Sequence, residues 1–433
     1  MIYEIGNDVE KTLNGKCDEY EIYIEEEKNI HLDSLKSELN FAKEEITLGV
    51  GIRVIKDSKQ GFAFTSNIDK LTETVLKAYE NTKLGKFDEN YKFSEIEPVP
   101  KVKGVYDKKI DDFSLDNASE FLKDTIEKAS QCEVTGASFT ASKGKSLIMN
   151  SNGVSIENNE TGYGLSLSVK IETPTDIATA YNSASSRFFD IDSDKLAYEV
   201  CDLAKRSLNT KSIETNDYNV VLDYYASIGL LQTFINAFNG ENVLRGRSIL
   251  KDKENSEITN PNLSLLDNPL LEKGMKSSRC DGEGVVSRKT ELIKNGVLNS
   301  FIYDIYNAEI ASENPTSNAL RYSYHSTPQI ETTNLEFEFS DKIDMENIKN
   351  GVIVTSVLGA HTANPISGDF SVEASNAFKI ENGEIKYPIK KAMISGNIFE
   401  IMKSIEGVES EIRQYGSYVI PKLYAHNLRV VGQ

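Results

Sequence analysis

The residues best suited to chemistry in this chain are a few carboxylates and one histidine in two glycine-containing stretches. Asp281 and Glu283 lie close together in residues 279–284, where a carboxylate pair could supply a catalytic acid or ligate a metal. In the second stretch, residues 359–371, His361 is a candidate acid–base group. This stretch follows an apolar run typical of a buried strand, and polar loops in that position often line clefts. A solvated or capping role stays open for the two carboxylates, and a structural role as a hydrogen-bonded loop histidine stays open for His361.

Recognisable cofactor and nucleophile motifs are absent from the sequence, which has no HExxH, P-loop, GxSxG or GxGxxG pattern. Residues 190–194 resemble the start of a calcium-binding loop, but Lys195 stands where glycine is required and Cys201 where the bidentate glutamate would be. Capping of the next helix by Asp192 or Ser193 explains these residues better. Only four histidines occur, far apart in the chain, which argues against an all-histidine metal site.

Composition excludes several classes of function. The 433 residues carry 48 Lys and Arg against 67 Asp and Glu, a net charge of −19, so the surface should repel nucleic acid. Mean hydropathy is −0.39 and no apolar run approaches 18 residues, so we expect no membrane association. The first residues lack the features of a signal peptide, and the four cysteines form no CxxC pair. A reduced, cytoplasmic protein is therefore predicted.

Hydrophobic periodicity predicts an α+β protein of two domains. Residues 1–210 alternate strands with helices and should form a curved sheet with covering helices. The polar residues 209–217 mark the boundary. Residues 217–433 should form a mostly antiparallel β assembly, with Asn-Gly turns at 295–296 and 382–383, around a buried helix at about residues 226–238.

Several short motifs, in a fixed order, give this sequence a family resemblance that runs over nearly the whole chain. It resembles the TldD/PmbA family of peptidases. The motifs lie at residues 281–284, 292–298, 303–307, 315–318, 368–371, 380–388 and 394–397.

The resemblance implies which kind of family member this chain is. TldD-like chains carry a helical HExxxH, whose histidines bind zinc and whose glutamate is the general base, and a cysteine near the C-terminus supplies a third ligand. PmbA/TldE-like chains lack the motif and partner the first kind. Here Gln232 and Ala237 stand at the histidine positions, Thr233 at the glutamate and Tyr415 at the cysteine. These groups cannot make a three-ligand zinc site, so we expect no metal in this chain and zinc in a TldD-like partner.

The expected function follows from the same resemblance. This chain would be a metal-free subunit that forms part of a peptide-binding chamber and supports cleavage of small or unfolded peptides by the partner. The candidate peptide contacts are His361, Asn364, Gly368 and Asp369.

Other interpretations stay open. A stand-alone peptidase could use Asp281, Glu283, His361 and Asp369, and the chain could also be a homo-oligomeric peptide-binding module. The sequence does not distinguish a homodimer from a heterodimer. If the zinc-position correspondence holds, Gln232 and Tyr415 should lie within about 10 Å of each other.

Overall fold

Six antiparallel strands form one sheet in the first half of the chain, in the order β3-β2-β1-β4-β5-β6. The computed structural model describes residues 1–432. The turns between β1 and β2 and between β2 and β3 use residues with positive φ, as tight hairpins require. The strands are β1 (Glu19–Leu35), β2 (Glu38–Lys56), β3 (Lys59–Thr65), β4 (Glu133–Asn150), β5 (Ser155–Glu172) and β6 (Ile177–Ser186).

Four helices cover one face of this sheet. Ile22 and Ile24 of β1 pack under the first pair, and Ile30 and Leu32, which point to the same side of the strand, pack under the second pair. Asp192 caps the last helix by accepting a hydrogen bond from the Lys195 N–H, as its sequence predicts. The helices are α1 (Ile2–Leu13), α2 (Leu71–Thr82), α3 (Leu115–Lys128) and α4 (Ser193–Arg206).

The second half of the chain contains two further sheets and a small β-ladder. In the larger sheet, β22, β18, β16, β15 and β7 close into a ring because β22 pairs with both β18 and β7. The other sheet has the order β10-β9-β8-β13-β21-β20. Pairing is mostly antiparallel; the parallel pairs are β7–β15, β13–β21 and β14–β19.

The remaining elements have the following bounds. The strands are β7 (Asn216–Leu222), β8 (Leu263–Asp267), β9 (Thr290–Lys294), β10 (Val297–Leu298), β11 (Ala319–Leu320), β12 (Gln329–Ile330), β13 (Leu335–Phe339), β14 (Lys342–Ile343), β15 (Asn350–Leu358), β16 (Asp369–Glu381), β17 (Glu384–Pro388), β18 (Ala392–Asn397), β19 (Glu406–Val408), β20 (Arg413–Tyr415), β21 (Tyr418–Ile420) and β22 (Leu423–Val431). The helices are α5 (Tyr224–Ile235), α6 (Gly240–Leu244), α7 (Ile305–Ala311) and α8 (Ile398–Met402).

The predicted α+β class is confirmed, with both Asn-Gly turns in place between β9 and β10 and between β16 and β17. The buried helix begins at Tyr224 rather than 226 and ends at Ile235, where a 3₁₀ turn, Asn236–Phe238, takes over. The domain limits 1–210 and 217–433 stay a prediction. Within residues 1–432 no helix combines the length and the apolar character needed to cross a membrane.

One edge of the first sheet is partly uncovered. β3 pairs only with the last residues of β2, Val50–Lys56, so residues 38–49 of β2 have a strand partner on the β1 side alone within residues 1–432. Leu39, Phe41 and Ile46 are exposed along this segment, between charged side chains such as Lys43. We call residues 38–49 the open edge of β2.

A buried network of charges joins the first sheet to the second half of the chain. Glu21 of β1 is fully buried and accepts hydrogen bonds from Arg53 of β2, at 2.8 Å from Nε, and from Arg321. Arg53 also donates through Nη1 to Glu283 Oε1 at 2.9 Å. Because Glu21 points away from the helices, the network lies on the opposite face of the sheet.

Asp281 is half-buried beside this network. One of its oxygens accepts the N–H groups of Glu283 and Val285 and the other that of Ala319, at 2.9–3.1 Å. Burial and the nearby Glu283 charge raise the pKa of the Asp281 carboxyl to about 8. The pKa of Glu283 is also raised by burial, whereas Arg53 opposes that shift.

Removing the central charge should destabilise the protein strongly. In Glu21→Gln, Arg321 loses its carboxylate and stays buried, so we expect the free energy of unfolding to fall by about 3–5 kcal/mol. Urea denaturation followed by circular dichroism measures this change. The matched control is Glu291→Gln, which breaks the exposed pair with Lys294 and should cost less than about 1 kcal/mol. Equal effects of the two substitutions would contradict the assignment of Glu21 as the central charge of the buried network.

The half-buried acid also predicts a pH dependence. A carboxyl whose pKa is higher in the folded chain keeps its proton there, so its stabilising contribution is present at low pH and is lost as pH rises through the folded pKa. With the Asp281 pKa raised to about 8, the free energy of unfolding should fall by about 2 kcal/mol between pH 6 and pH 8.5. Urea denaturation across this range should show a shallower dependence in Asp281→Asn. An unchanged slope in that variant would refute the prediction.

Candidate functional site

The helix that carries the predicted zinc-motif positions is packed by its apolar side chains. Asp223 caps α5 by accepting a hydrogen bond from the Tyr224 N–H at 2.8 Å. Leu231 and Phe234 are buried in the core of the second half. The motif positions themselves differ in environment: Gln232 is exposed, Thr233 is half-buried and Ala237 is buried in the 3₁₀ turn after α5.

Tyr415 lies at the other end of the same helix. Its ring centroid is 4.9 Å from that of Tyr225 and 5.3 Å from that of Tyr224, in the first turn of α5. Gln232 follows Tyr225 by seven residues, about 10 Å along the helix axis. Among the hydrogen bonds, ion pairs and ring contacts of residues 1–432, none joins Gln232 to Tyr415. The structure therefore does not bring these positions into contact, and their correspondence to zinc ligands stays a prediction.

The donor groups at these positions do not fit zinc. Gln232 offers a neutral amide, Ala237 has no donor atom, and burial raises the pKa of the Tyr415 phenol above its ordinary value, so it keeps its proton. No group of three His, Cys, Asp or Glu side chains in the described part of the chain is arranged to hold a metal ion. We therefore derive no catalytic step through a metal in this chain.

The candidate peptide contacts lie together in the loop after β15. His361 is exposed in a 3₁₀ turn, whereas the side chain of Asn364 accepts the N–H groups of Ile366 and Ser367. Gly368 has a φ of +84°, and a Cβ there would lie 2.4 Å from the ring of Phe399. These contacts fix the loop backbone.

Asp369 connects the same loop to Asn397, at the end of β18. Its carboxylate accepts hydrogen bonds from Asn397 at 2.8 Å and from the Ser367 hydroxyl at 2.7 Å. These two hydrogen bonds lower the pKa of Asp369, so it stays charged at neutral pH. Contact of the loop with a peptide stays a prediction.

The alternative constellation of four side chains is not assembled. Glu283 is buried in the charge network and Asp281 is half-buried beside it, whereas His361 and Asp369 are exposed in the loop after β15. No hydrogen bond or ion pair within residues 1–432 connects the two groups. These contacts support a structural role for residues 279–284.

Sequence reasoning missed a row of aromatic side chains. Ring centroids are separated by 6.0 Å from Tyr181 to Tyr225, by 4.9 Å from Tyr225 to Tyr415 and by 5.3 Å from Tyr415 to Tyr224. We call these four residues the tyrosine row. The adjacent Tyr224 and Tyr225 were a visible signal, but the other two members come from distant strands, β6 and β20.

Two cavities of about 360 and 270 Å³ open on the tyrosine row, between β6 and α4 on one side and β20 on the other. The ion pair between Arg413 Nη2 and Glu199 Oε1, at 3.0 Å, lies between them. Arg413 also packs over the ring of Tyr224, 5.2 Å from its centroid. We call this space the β6–β20 cleft.

Family models match most of the chain. The PmbA/TldA metallopeptidase domain 1 matches residues 20–82, the central domain residues 108–208 and the C-terminal domain residues 215–432.

Individual relatives agree with these matches. An uncharacterised protein of Methanocaldococcus jannaschii is 35% identical over 383 residues, 87% of this chain and 88% of that protein. Metalloprotease PmbA of Escherichia coli O157:H7 is 25% identical over 95% of this chain and 92% of its own length. The crystal structure of TldE from Thermococcus kodakarensis superposes with a TM-score of 0.91 over all of both chains, at 23% identity, and so shares the fold. The resemblance found in the motifs is thereby confirmed, and the chain belongs to the TldD/PmbA family of metalloprotease-like proteins.

Proposed function

We propose that this chain is a metal-free subunit, of the PmbA/TldE type, in a metallopeptidase complex. A TldD-like partner would hold the zinc and cleave small or unfolded peptides, and this chain would complete the chamber in which they bind. The observation that carries the proposal lies in α5 and the 3₁₀ turn after it. The apolar face of the helix is packed, while Gln232, Thr233 and Ala237 offer neither zinc ligands nor a general base.

Packing explains why α5 is retained although it carries no zinc ligands and no general base. Leu230, Leu231 and Phe234 are at most 3% exposed and belong to the main core of the second half. Losing them would cost several kcal/mol each, whatever the function of the neighbouring positions. Stability thus maintains α5, and the positions at its surface are free to differ from those of a catalytic chain.

The complex is the part of the proposal that depends on the family. The four side chains Asp281, Glu283, His361 and Asp369 do not form a hydrolytic site, because both carboxylates of residues 279–284 accept hydrogen bonds at both oxygens and, within the described residues, no hydrogen bond or ion pair joins them to the loop after β15. A peptidase family member with this arrangement supports cleavage by binding peptide or partner rather than by activating water. The same proposal places the chain in the cytoplasm, in keeping with its free cysteines.

The first test is metal content. The purified chain, incubated with excess zinc and desalted, should retain well below one equivalent by inductively coupled plasma mass spectrometry, because its donor set is incomplete. Alone it should not cleave an unfolded casein substrate. Stoichiometric zinc, or cleavage by the chain alone that a chelator abolishes, would refute the proposal.

The second test is association with a catalytic chain. Affinity purification of the tagged chain from its native host should recover a protein containing HExxxH, and the mixture should cleave casein. The matched control is a partner whose motif glutamate is replaced by glutamine: it should still co-purify, but activity should fall by at least about 100-fold because the general base is lost. Recovery of the tagged chain alone, as a homo-oligomer, would favour the peptide-binding module instead.

A further inference from the structure

Two of the four cysteines lie beside each other in the helix layer of the first sheet. Cys201 is a fully buried residue of α4, and Cys132 is half-buried in the turn just before β4. Both pack in the same hydrophobic cluster, whereas Cys17 and Cys280 pack in two other clusters. The fold therefore brings together one pair of thiols that are distant in the sequence.

A shared carbonyl group holds the two residues together. The Cys201 thiol donates to the Ala129 carbonyl oxygen, with Sγ at 3.6 Å, and the Cys132 N–H donates to the same oxygen at 2.9 Å. Burial, together with a hydrogen bond to the Cys132 side chain, raises the pKa of the Cys201 thiol to about 12. The two thiols are therefore direct neighbours.

Polar contacts hold the turn at residues 129–132 against α4. Near the start of this helix, Lys128 forms an ion pair with Asp194 at 3.0 Å. Near its end, Lys205 donates a hydrogen bond to the side-chain oxygen of Gln131. These contacts lie before and after the buried cysteine along α4, so they limit how far the two thiols can separate.

The two thiols differ in their access to solvent, and this difference sets the order in which they can react. A fully buried thiol is shielded from oxidants, and with a raised pKa it supplies little thiolate at neutral pH. Cys132 is half-buried, so it is the thiol of this pair that a small oxidant can reach. A sulfenic acid formed at Cys132 has a second thiol beside it with which it can condense.

We propose that Cys132 and Cys201 form a reversible disulfide in response to hydrogen peroxide. The Cys132 thiolate attacks one peroxide oxygen, the O–O bond breaks, and the leaving hydroxide takes up the proton that Cys132 had lost. The Cys201 sulfur then attacks the sulfenic sulfur, the S–O bond breaks, and the hydroxide leaves as water with the proton of the Cys201 thiol. Two thiols and one peroxide thus give one disulfide and two water molecules, and a dithiol reductant reverses the reaction by exchange.

The disulfide tethers a helix that contacts both halves of the chain. It joins α4 to the turn before β4 and closes a loop that contains β4, β5 and β6. A crosslink of this kind stabilises a protein mainly by restricting its unfolded chain. The same helix carries Glu199, which pairs with Arg413 of β20 at 3.0 Å. Oxidation therefore stabilises the first sheet and the helix that holds this inter-half ion pair.

Peptide mapping tests the bond directly. The reduced chain is treated with hydrogen peroxide, its remaining thiols are alkylated in denaturant, and its tryptic peptides are identified by mass spectrometry. Trypsin should release residues 129–143 linked by a disulfide to residues 196–205, and dithiothreitol should separate the two peptides. Cys17 is the internal control: it is also half-buried but packs in a different cluster, so it should appear in no disulfide.

Substitutions test the order of the two steps. In Cys201→Ala, the sulfenic acid at Cys132 has no thiol to condense with, so it should accumulate and be labelled by dimedone. Cys132→Ser should give no disulfide and no dimedone adduct at Cys201, because the buried thiol is shielded. The matched control, Cys17→Ser, should give the same linked peptides as the unsubstituted chain. Circular dichroism verifies that each variant is folded.

Thermal unfolding measures the effect of the crosslink. The peroxide-treated chain should unfold at a temperature at least about 3 °C higher than the reduced chain, whereas Cys132→Ser should show no such difference. Complete alkylation of Cys132 and Cys201 after peroxide treatment, or a disulfide from Cys132 to Cys17 or to a second copy of the chain, would overturn the proposal. None of these measurements requires a metal or a partner chain, so the subunit role is tested separately.

Discussion

The contact between the two halves of this protein depends on a carboxylate buried on the first sheet. Taking Glu21 out of water is costly, and two guanidinium groups compensate for that cost: Arg53 from the next strand and Arg321 from the second half. Ion pairs of this kind have strict geometry, since Arg donates through a planar fork. The position of residue 321 relative to β1 and β2 is thereby fixed, and with it the part of the second half that lies on the sheet face opposite the helices.

The same network explains why the most conspicuous carboxylates of the sequence belong to the framework. Glu283 binds Arg53 and also accepts the Ile305 N–H, so it orients the start of α7, while Asp281 holds three backbone N–H groups. Glu283 is buried and Asp281 is half-buried, and each carboxylate already accepts hydrogen bonds at both of its oxygens. Two acids spaced like a catalytic pair are here parts of a turn that connects the halves.

The sequence predicted local features well and distant juxtapositions poorly. The Asn-Gly turns were predictable because those residues adopt positive φ at little cost, and the cap at Asp192 because its side chain bonds the backbone three residues on. The start of α5 was placed two residues late, because Asp223 was not recognised as the residue that caps the helix.

The tyrosine row could not be found in this way. Tyr181 and Tyr415 are separated by more than 200 residues and meet at the first turn of α5 only through the packing of two sheet edges. The zinc-motif positions show the same limit: a resemblance identifies residues in a sequence, but it does not state which turn of the helix Tyr415 contacts.

The open edge of β2 has a consequence for handling the protein in solution. Uncovered strand edges with apolar side chains tend to pair with other chains, and here charged side chains such as Lys43 and the overall negative charge keep copies apart. Salt screens that repulsion, with a Debye length of about 10 Å at 0.1 M and about 3 Å at 1 M. Concentrated stocks should therefore keep best in buffers of low ionic strength well above the isoelectric point, and high-salt storage would promote self-association along this strand.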